Sequence, residues 1–184
     1  MTDARRTIGV LSSSSYAEIQ SPSVSKAEFR QALAQLAAGV SIITTCDQDG
    51  QKLGMTATAV TSVSLDPPLV LVCVDNRTRT AAALTAPMPF VVHFLSAEQE
   101  WLARQFASSS TDKFAGVAYQ WTAYGCPQLE DTIASLVCVP YQTLLSGDHT
   151  IVVGRVVEVD VADNNLSPLI YVRGQFLSQP GVNV

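Results

Sequence analysis

Two periodicities alternate along this chain. From Ser25 onward, Phe29, Leu33, Leu36 and Ala37 recur at helical spacing, and Ser25 with Glu28 forms a capping box, so a helix is predicted with Gly39 as its stop. The pattern then turns β-branched: "VSIITTCD" at 40–47 predicts a strand, "DQDG" at 47–50 a turn, and Lys52 onward a return strand. Residues 54–64, "GMTATAVTSVS", are rich in Thr, Ser, Ala and Val and end at Asp66-Pro67-Pro68, where two prolines break any ladder. A strand follows at 69–75, a short helix at 78–86, a strand at 89–96 and an amphipathic helix at 97–107. Beyond a polar, less regular stretch through Trp121, further strands are predicted near 132–144, 149–161 and 168–173.

Six or seven strands, mostly joined by short turns and interrupted by a few helices, predict a mainly β fold. The expected form is a closed or nearly closed antiparallel barrel with flanking helices, because the regular strand–helix alternation of a doubly wound parallel sheet is missing. One domain is expected over 25–184. The arm 1–24, with serines at 12–15 and Ser-Pro-Ser at 21–23, lacks periodicity and is expected to be flexible.

Composition narrows the function. With 184 residues, 47% hydrophobic and 15% charged, the chain can bury a substantial core. A net charge of -5 without any run of Lys or Arg argues against nucleic acid or anionic lipid as partner. The apolar run after Arg5-Arg6 is too short for a signal peptide, and no segment approaches a membrane span, so a cytoplasmic protein is expected. Cys46, Cys73, Cys126 and Cys138 show no C-x-x-C spacing and read as reduced and structural. No G-x-G-x-x-G, P-loop or G-x-S-x-G motif occurs, and two isolated histidines give no metal-ligand spacing, so no metal site is expected.

What remains is a polar run on otherwise apolar strands: Thr56, Thr58, Thr61, Ser62 and Ser64, then Asp75, Asn76, Arg77, Thr78, Arg79 and Thr80. Hydroxyls, amides and guanidiniums near strand ends suit a phosphate and a polyol, although strand threonines and solvated arginines read equally well as ordinary structure. In "SGDHTIVVG" a Gly147-Asp148 turn opens a strand at His149, at the mouth of a sheet. His93, inside "FVVHFL", reads instead as a buried histidine with its hydrogen bonds satisfied.

Taken in order, "AAGVSIITT", "GMTATAVTSVSLDPPLVLVCVDNRTRT", "DKFAG", "GDH" and "YVRGQF" resemble the short-chain flavin reductases, the reductase components of two-component flavin-dependent monooxygenases, over about residues 26–177. The resemblance implies an FMN-binding split β-barrel, FMN or FAD as flavin, NADH as hydride donor with NADPH left open, a homodimer, and a partner monooxygenase that receives reduced flavin. It places Thr56, Ala57, Thr58 and Ala59 at the ribityl and pyrimidine side and Ser62, Val63 and Ser64 near the isoalloxazine. Asp75, Asn76 and Thr80 fall at the ribityl and phosphate groups. Lys113 faces the phosphate with Phe114 packed beside it, and Arg77 and Arg79 lie where an adenylate would need holding if the flavin is FAD. His149, beside Asp148, docks the nicotinamide dinucleotide, with Tyr171 and Arg173 closing that side. The implied reaction, hydride transfer from nicotinamide C4 to flavin N5, requires positioning of two rings rather than acid–base machinery. A flavoprotein that keeps its flavin and acts on an organic substrate, and a non-catalytic flavin binder, stand as alternatives.

Overall fold

The computed structural model describes residues 22–162 and 166–177, so all but the last three residues of the predicted arm 1–24 lie outside the described residues. The chain divides into two units, 1–33 and 34–184. In the first, α1 (Lys26–Leu33) opens on the predicted capping box: the Glu28 N–H donates to Ser25 Oγ at 3.2 Å and the Ser25 N–H to Glu28 Oε2 at 2.9 Å. The helix was expected to run to Ala37 but ends at Leu33. Beyond it, the Ala34 carbonyl accepts the Arg173 N–H at 2.8 Å, and Ala38–Gly39 forms β1, so sheet partners take the groups a longer helix would need. Gly39 is therefore a strand residue rather than a helix stop.

The second unit is built on β2 (Ser41–Cys46), β3 (Lys52–Ala57), β4 (Val60–Leu65), β5 (Pro68–Asp75), α2 (Arg79–Thr85), β6 (Phe90–Phe94) and α3 (Glu100–Ala107). It continues through β7 (Tyr119–Trp121), β8 (Pro127–Leu129), β9 (Ala134–Ser146), β10 (His149–Val161), β11 (Ile170–Val172) and β12 (Gln175–Leu177). Seven of these strands form one antiparallel sheet in the order β3-β2-β6-β9-β10-β5-β4; β1-β11-β12 and β7-β8 make two small ones. No described helix is long and apolar enough to cross a membrane.

The order explains the shape. β3 and β4 are opposite edges of the large sheet, yet only Thr58 and Ala59 separate them in the chain, so the sheet must curl until its edges approach. The hydrogen-bonded ladder between those edges stays open, and the Ala59 carbonyl instead accepts the Cys73 N–H at 3.0 Å. The expected stretch 54–64 is thus two strands, and the barrel is split rather than closed.

The core follows from alternation. On β5, Val70, Val72 and Val74 are buried and pack with Ile43, Phe90 and Val152. On the other side of the sheet, Ile42, Leu95, Leu102, Phe106 and Leu169 form a second cluster under α3. A Cβ on Gly54 would overlap the Phe106 ring, and one on Gly154 would lie 2.5 Å from Phe90 Cζ, so both positions need glycine for close packing. All four cysteines are free, as expected; burial pushes the Cys126 and Cys138 thiols up to about 12, which keeps them protonated and inert.

Candidate functional site

Two cavities share Ser108, the residue that ends α3. The larger, about 450 Å³, is lined by Thr56 and Thr58 at the end of β3, Arg104 and Ser108, and Tyr171 and Phe176 on the β11–β12 hairpin. The Tyr171 and Phe176 rings meet edge to face with centroids 5.1 Å apart, and the Arg104 guanidinium lies 4.9 Å from the Phe176 centroid. Glu100, one turn earlier on α3, pairs with Arg104 at 2.6 Å and fixes where that guanidinium lies. Thr56 Oγ1 is committed to the Ala103 carbonyl at 2.6 Å, which ties β3 to α3, whereas Thr58 is exposed. The result is an aromatic wall with a polar edge.

The smaller cavity, about 210 Å³, is lined by Lys52, Thr78, Arg79, Thr80, Lys113 and the hydroxyl run 108–111, and none of its lining residues is acidic. Lys113 Nζ and Thr80 Oγ1 both donate to the Gly54 carbonyl at 3.2 Å, and Lys113 also donates to the Phe106 carbonyl at 2.8 Å. Burial pushes the Lys113 ammonium pKa down, since half-withdrawal from water disfavours the charged form. Lys52 is held by the Tyr119 hydroxyl at 2.7 Å.

A third group of predicted residues gathers at the joined ends of β5 and β10. Gly147, at φ +66°, makes the two-residue turn that leads to His149, which pairs with Ser146 on one side and Asp75 on the other. His149 Nδ1 and Asp148 Oδ1 lie 2.7 Å apart, and 46% of the His149 side chain is accessible. Asp75 pairs with Arg77 at 2.6 Å, and the hydrogen bonds from Arg77 hold its carboxyl far below the usual carboxylate range. Asn76 accepts from Thr150 Oγ1 at 2.7 Å through its side chain and donates its N–H to the Asp148 carbonyl at 3.1 Å. The turn from Asp75 to Thr78, closed by the Thr78 N–H on the Asp75 carbonyl at 3.1 Å, joins this cluster to the rim of the smaller cavity.

The predicted residues are therefore distributed. Thr56, Thr58 and Tyr171 share the larger cavity; Thr80 and Lys113 share the smaller; Asp75, Asn76, Asp148 and His149 form the cluster. Ala57 and Phe114 are buried in the core, where Phe114 meets Phe106 edge to face at 5.0 Å. Ser62 and Val63 are exposed and Ser64 half-buried on the edge strand β4. Arg173, at φ +52°, reaches back to Gln35 at 2.8 Å.

A flavin reductase like domain matches residues 33–179. The chain belongs to the flavin reductase like family. Its relatives include the NADH:riboflavin 5'-phosphate oxidoreductase of Streptomyces pristinaespiralis, 37% identical over 84% of this chain and 89% of the relative. The reductase component of the 4-nitrophenol 4-monooxygenase/4-nitrocatechol 2-monooxygenase of Rhodococcus opacus is 40% identical over 82% of this chain and 80% of that protein. Among solved structures, the NADH:FAD oxidoreductase of Streptomyces globisporus C-1027, in complex with NAD and FAD fragments, superposes with a TM-score of 0.79 at 32% identity, covering 87% of this chain and 98% of the other.

Sequence reasoning passed over several residues that line the cavities in this flavin reductase like chain: Arg104, Phe176, Lys52 and the run Ser108-Ser109-Ser110-Thr111. The run carried a signal, four hydroxyls just ahead of Lys113, but sat in a stretch without periodicity. Phe176 had none, because its partner Tyr171 matters only once β11 and β12 pair.

Proposed function

We propose that this chain is an NADH-dependent flavin reductase that takes up free FMN or FAD, reduces it and releases it to a partner monooxygenase. The observation that carries this reading is the junction at Ser108 of an aromatic-walled cavity with a cationic, hydroxyl-lined one. A flavin has the same division: a flat ring system, then a polyol, then a phosphate. The chemistry the flavin supplies is acceptance of hydride at N5 from nicotinamide C4.

The protein's part is positioning. Tyr171 and Phe176 supply the flat wall, with Thr58 offering a hydroxyl at its edge and Arg104 a fixed cation. Lys113, Arg79 and the hydroxyls of Thr78 and 108–111 receive the phosphate end. Asp148 orients the His149 ring toward the nicotinamide dinucleotide. Replacing His149 with alanine is expected to raise the KM for NADH about tenfold through loss of one charged or polar contact, with little change in the KM for flavin. Initial rates at varied NADH and fixed flavin test this; unchanged NADH kinetics would remove His149 from the site.

A second copy of the chain completes this reading. β5 is apolar on both faces: Val70, Val72 and Val74 face the core, while Leu69, Leu71 and Cys73 are only half-buried on the outer face beside Ile151 and Val153. Leu65 at the end of β4 is 95% exposed and Leu144 of β9 is exposed nearby in register. A face of this kind is covered in a homodimer. Sedimentation equilibrium is expected to give a dimer, with Leu71→Glu shifting it toward monomer.

The reading as a whole is tested by NADH oxidation at 340 nm with dialysed protein and a concentration series of added flavin. Saturable dependence on flavin is expected. Turnover without added flavin would favour a flavoprotein that retains its flavin.

A further inference from the structure

The cationic cavity does not end the groove. Arg79 and Leu53 also line a third cavity of about 320 Å³, whose other walls include Asp47 and Asp49 from the β2–β3 turn and Ala82 and Met88 from α2 and its exit. The three cavities thus run in series, linked by Ser108 and then by Arg79.

The third differs in chemistry from the second. Its side chains are small and apolar along α2, and its only cation stands at the junction, opposite two carboxylates. Those carboxylates repel a phosphate but accept hydrogen bonds from sugar hydroxyls and exocyclic amines. Arg79 is placed to serve both sides. Its exposed contacts, Gln51 Oε1 at 3.2 Å and Asp47 at 3.8 Å, are weak, so turning its planar guanidinium onto a phosphate or a base costs little. A cationic step followed by an apolar pocket rimmed with acceptors is the complement of an adenosine carried on a pyrophosphate.

FMN ends at its phosphate and leaves the third cavity unused. FAD continues into it. NADH carries the same adenosine diphosphate group, but FAD alone enters from the flavin phosphate that the second cavity receives. We propose that the third cavity is an adenosine subsite that makes this chain selective for FAD over FMN, with Arg79 as the residue that reads the pyrophosphate. This rests on the flavin reductase reading.

The test measures KM for FAD, FMN and NADH in the wild type, in Arg79→Ala and in Ala82→Leu, where the added side chain fills the cavity from an exposed helix position. The wild type is expected to show a KM for FAD about tenfold below that for FMN. Either substitution is expected to remove most of that preference, raising the FAD-to-FMN ratio of KM about tenfold. Equal wild-type constants, or a variant that shifts both flavins alike, would overturn the subsite. A rise confined to NADH would assign the cavity to the nicotinamide dinucleotide and overturn FAD selectivity. Absence of turnover with either flavin would defeat the reductase reading instead; equilibrium binding of FAD and FMN, followed by flavin fluorescence, then decides the subsite, with preference for FAD supporting it and parity refuting it.

Discussion

Lys113→Ala is expected to raise the KM for FMN by about tenfold to a hundredfold while moving the KM for riboflavin by less than about twofold, since a charge-assisted bond to phosphate is worth roughly 1.5–3 kcal/mol. Two of the three ammonium protons are spent on the carbonyls of Gly54 and Phe106, at 3.2 and 2.8 Å, and the third is left to point into a cavity without acidic lining. The geometry is rigid because those carbonyls belong to β3 and α3. Loss of the same bonds will lower stability somewhat, so a thermal melt accompanies the kinetics. Riboflavin is the decisive control: it presents the same ring and polyol without the phosphate, and a rise shared equally by both flavins would take the phosphate away from Lys113. Burial lowers the ammonium pKa, so FMN binding is expected to weaken on the alkaline side before surface lysines lose their protons.

The second large effect concerns stability. His93 is fully buried, and its two ring nitrogens join three elements: Nδ1 donates to the Ile42 carbonyl of β2 at 3.0 Å, and Nε2 accepts the Leu129 N–H of β8 at 3.0 Å. Because Leu129 can only donate there, the ring is the neutral Nδ1–H tautomer. Burial pushes its pKa down to about 4 from an ordinary 6.5. The unfolded chain therefore takes up a proton near pH 6.5 that the folded chain refuses until about pH 4. Stability is expected to fall through that window as pH drops, by about 3 kcal/mol in all, and to level off below it as far as this group is concerned. His93→Ala is expected to cost about 3–5 kcal/mol at pH 7, from lost volume and two orphaned backbone groups. His93→Gln, which can donate and accept but does not titrate, is expected to flatten the dependence. Urea titrations at pH 7 and pH 4.5 measure both, and an unchanged pH slope in the glutamine variant would clear His93 of the effect.

These two residues show how unevenly the protein could be read from its sequence. His93 was legible: a histidine inside an apolar β-branched run has few fates other than burial with its bonds satisfied. The hairpin that satisfies it was not, because β7 and β8 are three residues each and lie in a stretch with no hydrophobic period. Lys113 was legible through the resemblance carried by "DKF", but not its partners, since Gly54 and Phe106 show nothing to a reader of local pattern. The stretch "GMTATAVTSVS" misled most directly. Its composition is uniform, while the sheet order assigns its two halves to opposite edges.

What this sequence determined by itself is everything that depends on near neighbours along the chain: the capping box at Ser25, the Asp47–Gly50 turn, the alternation that makes β5 a barrel wall, and the Gly147-Asp148 turn that opens β10 at His149. What only the tertiary structure decided is which of those pieces share a space. Thr56 meets Tyr171 across more than a hundred residues, Arg79 comes to stand between two cavities while Arg77 is spent on Asp75, and four unremarkable hydroxyls after α3 become the floor of an anion site. The physical reason is that local pattern is set by backbone periodicity and turn geometry within a few residues. A cavity is set by how the sheet curls and which edges it leaves unpaired, and that depends on long-range packing to which each residue contributes only a part.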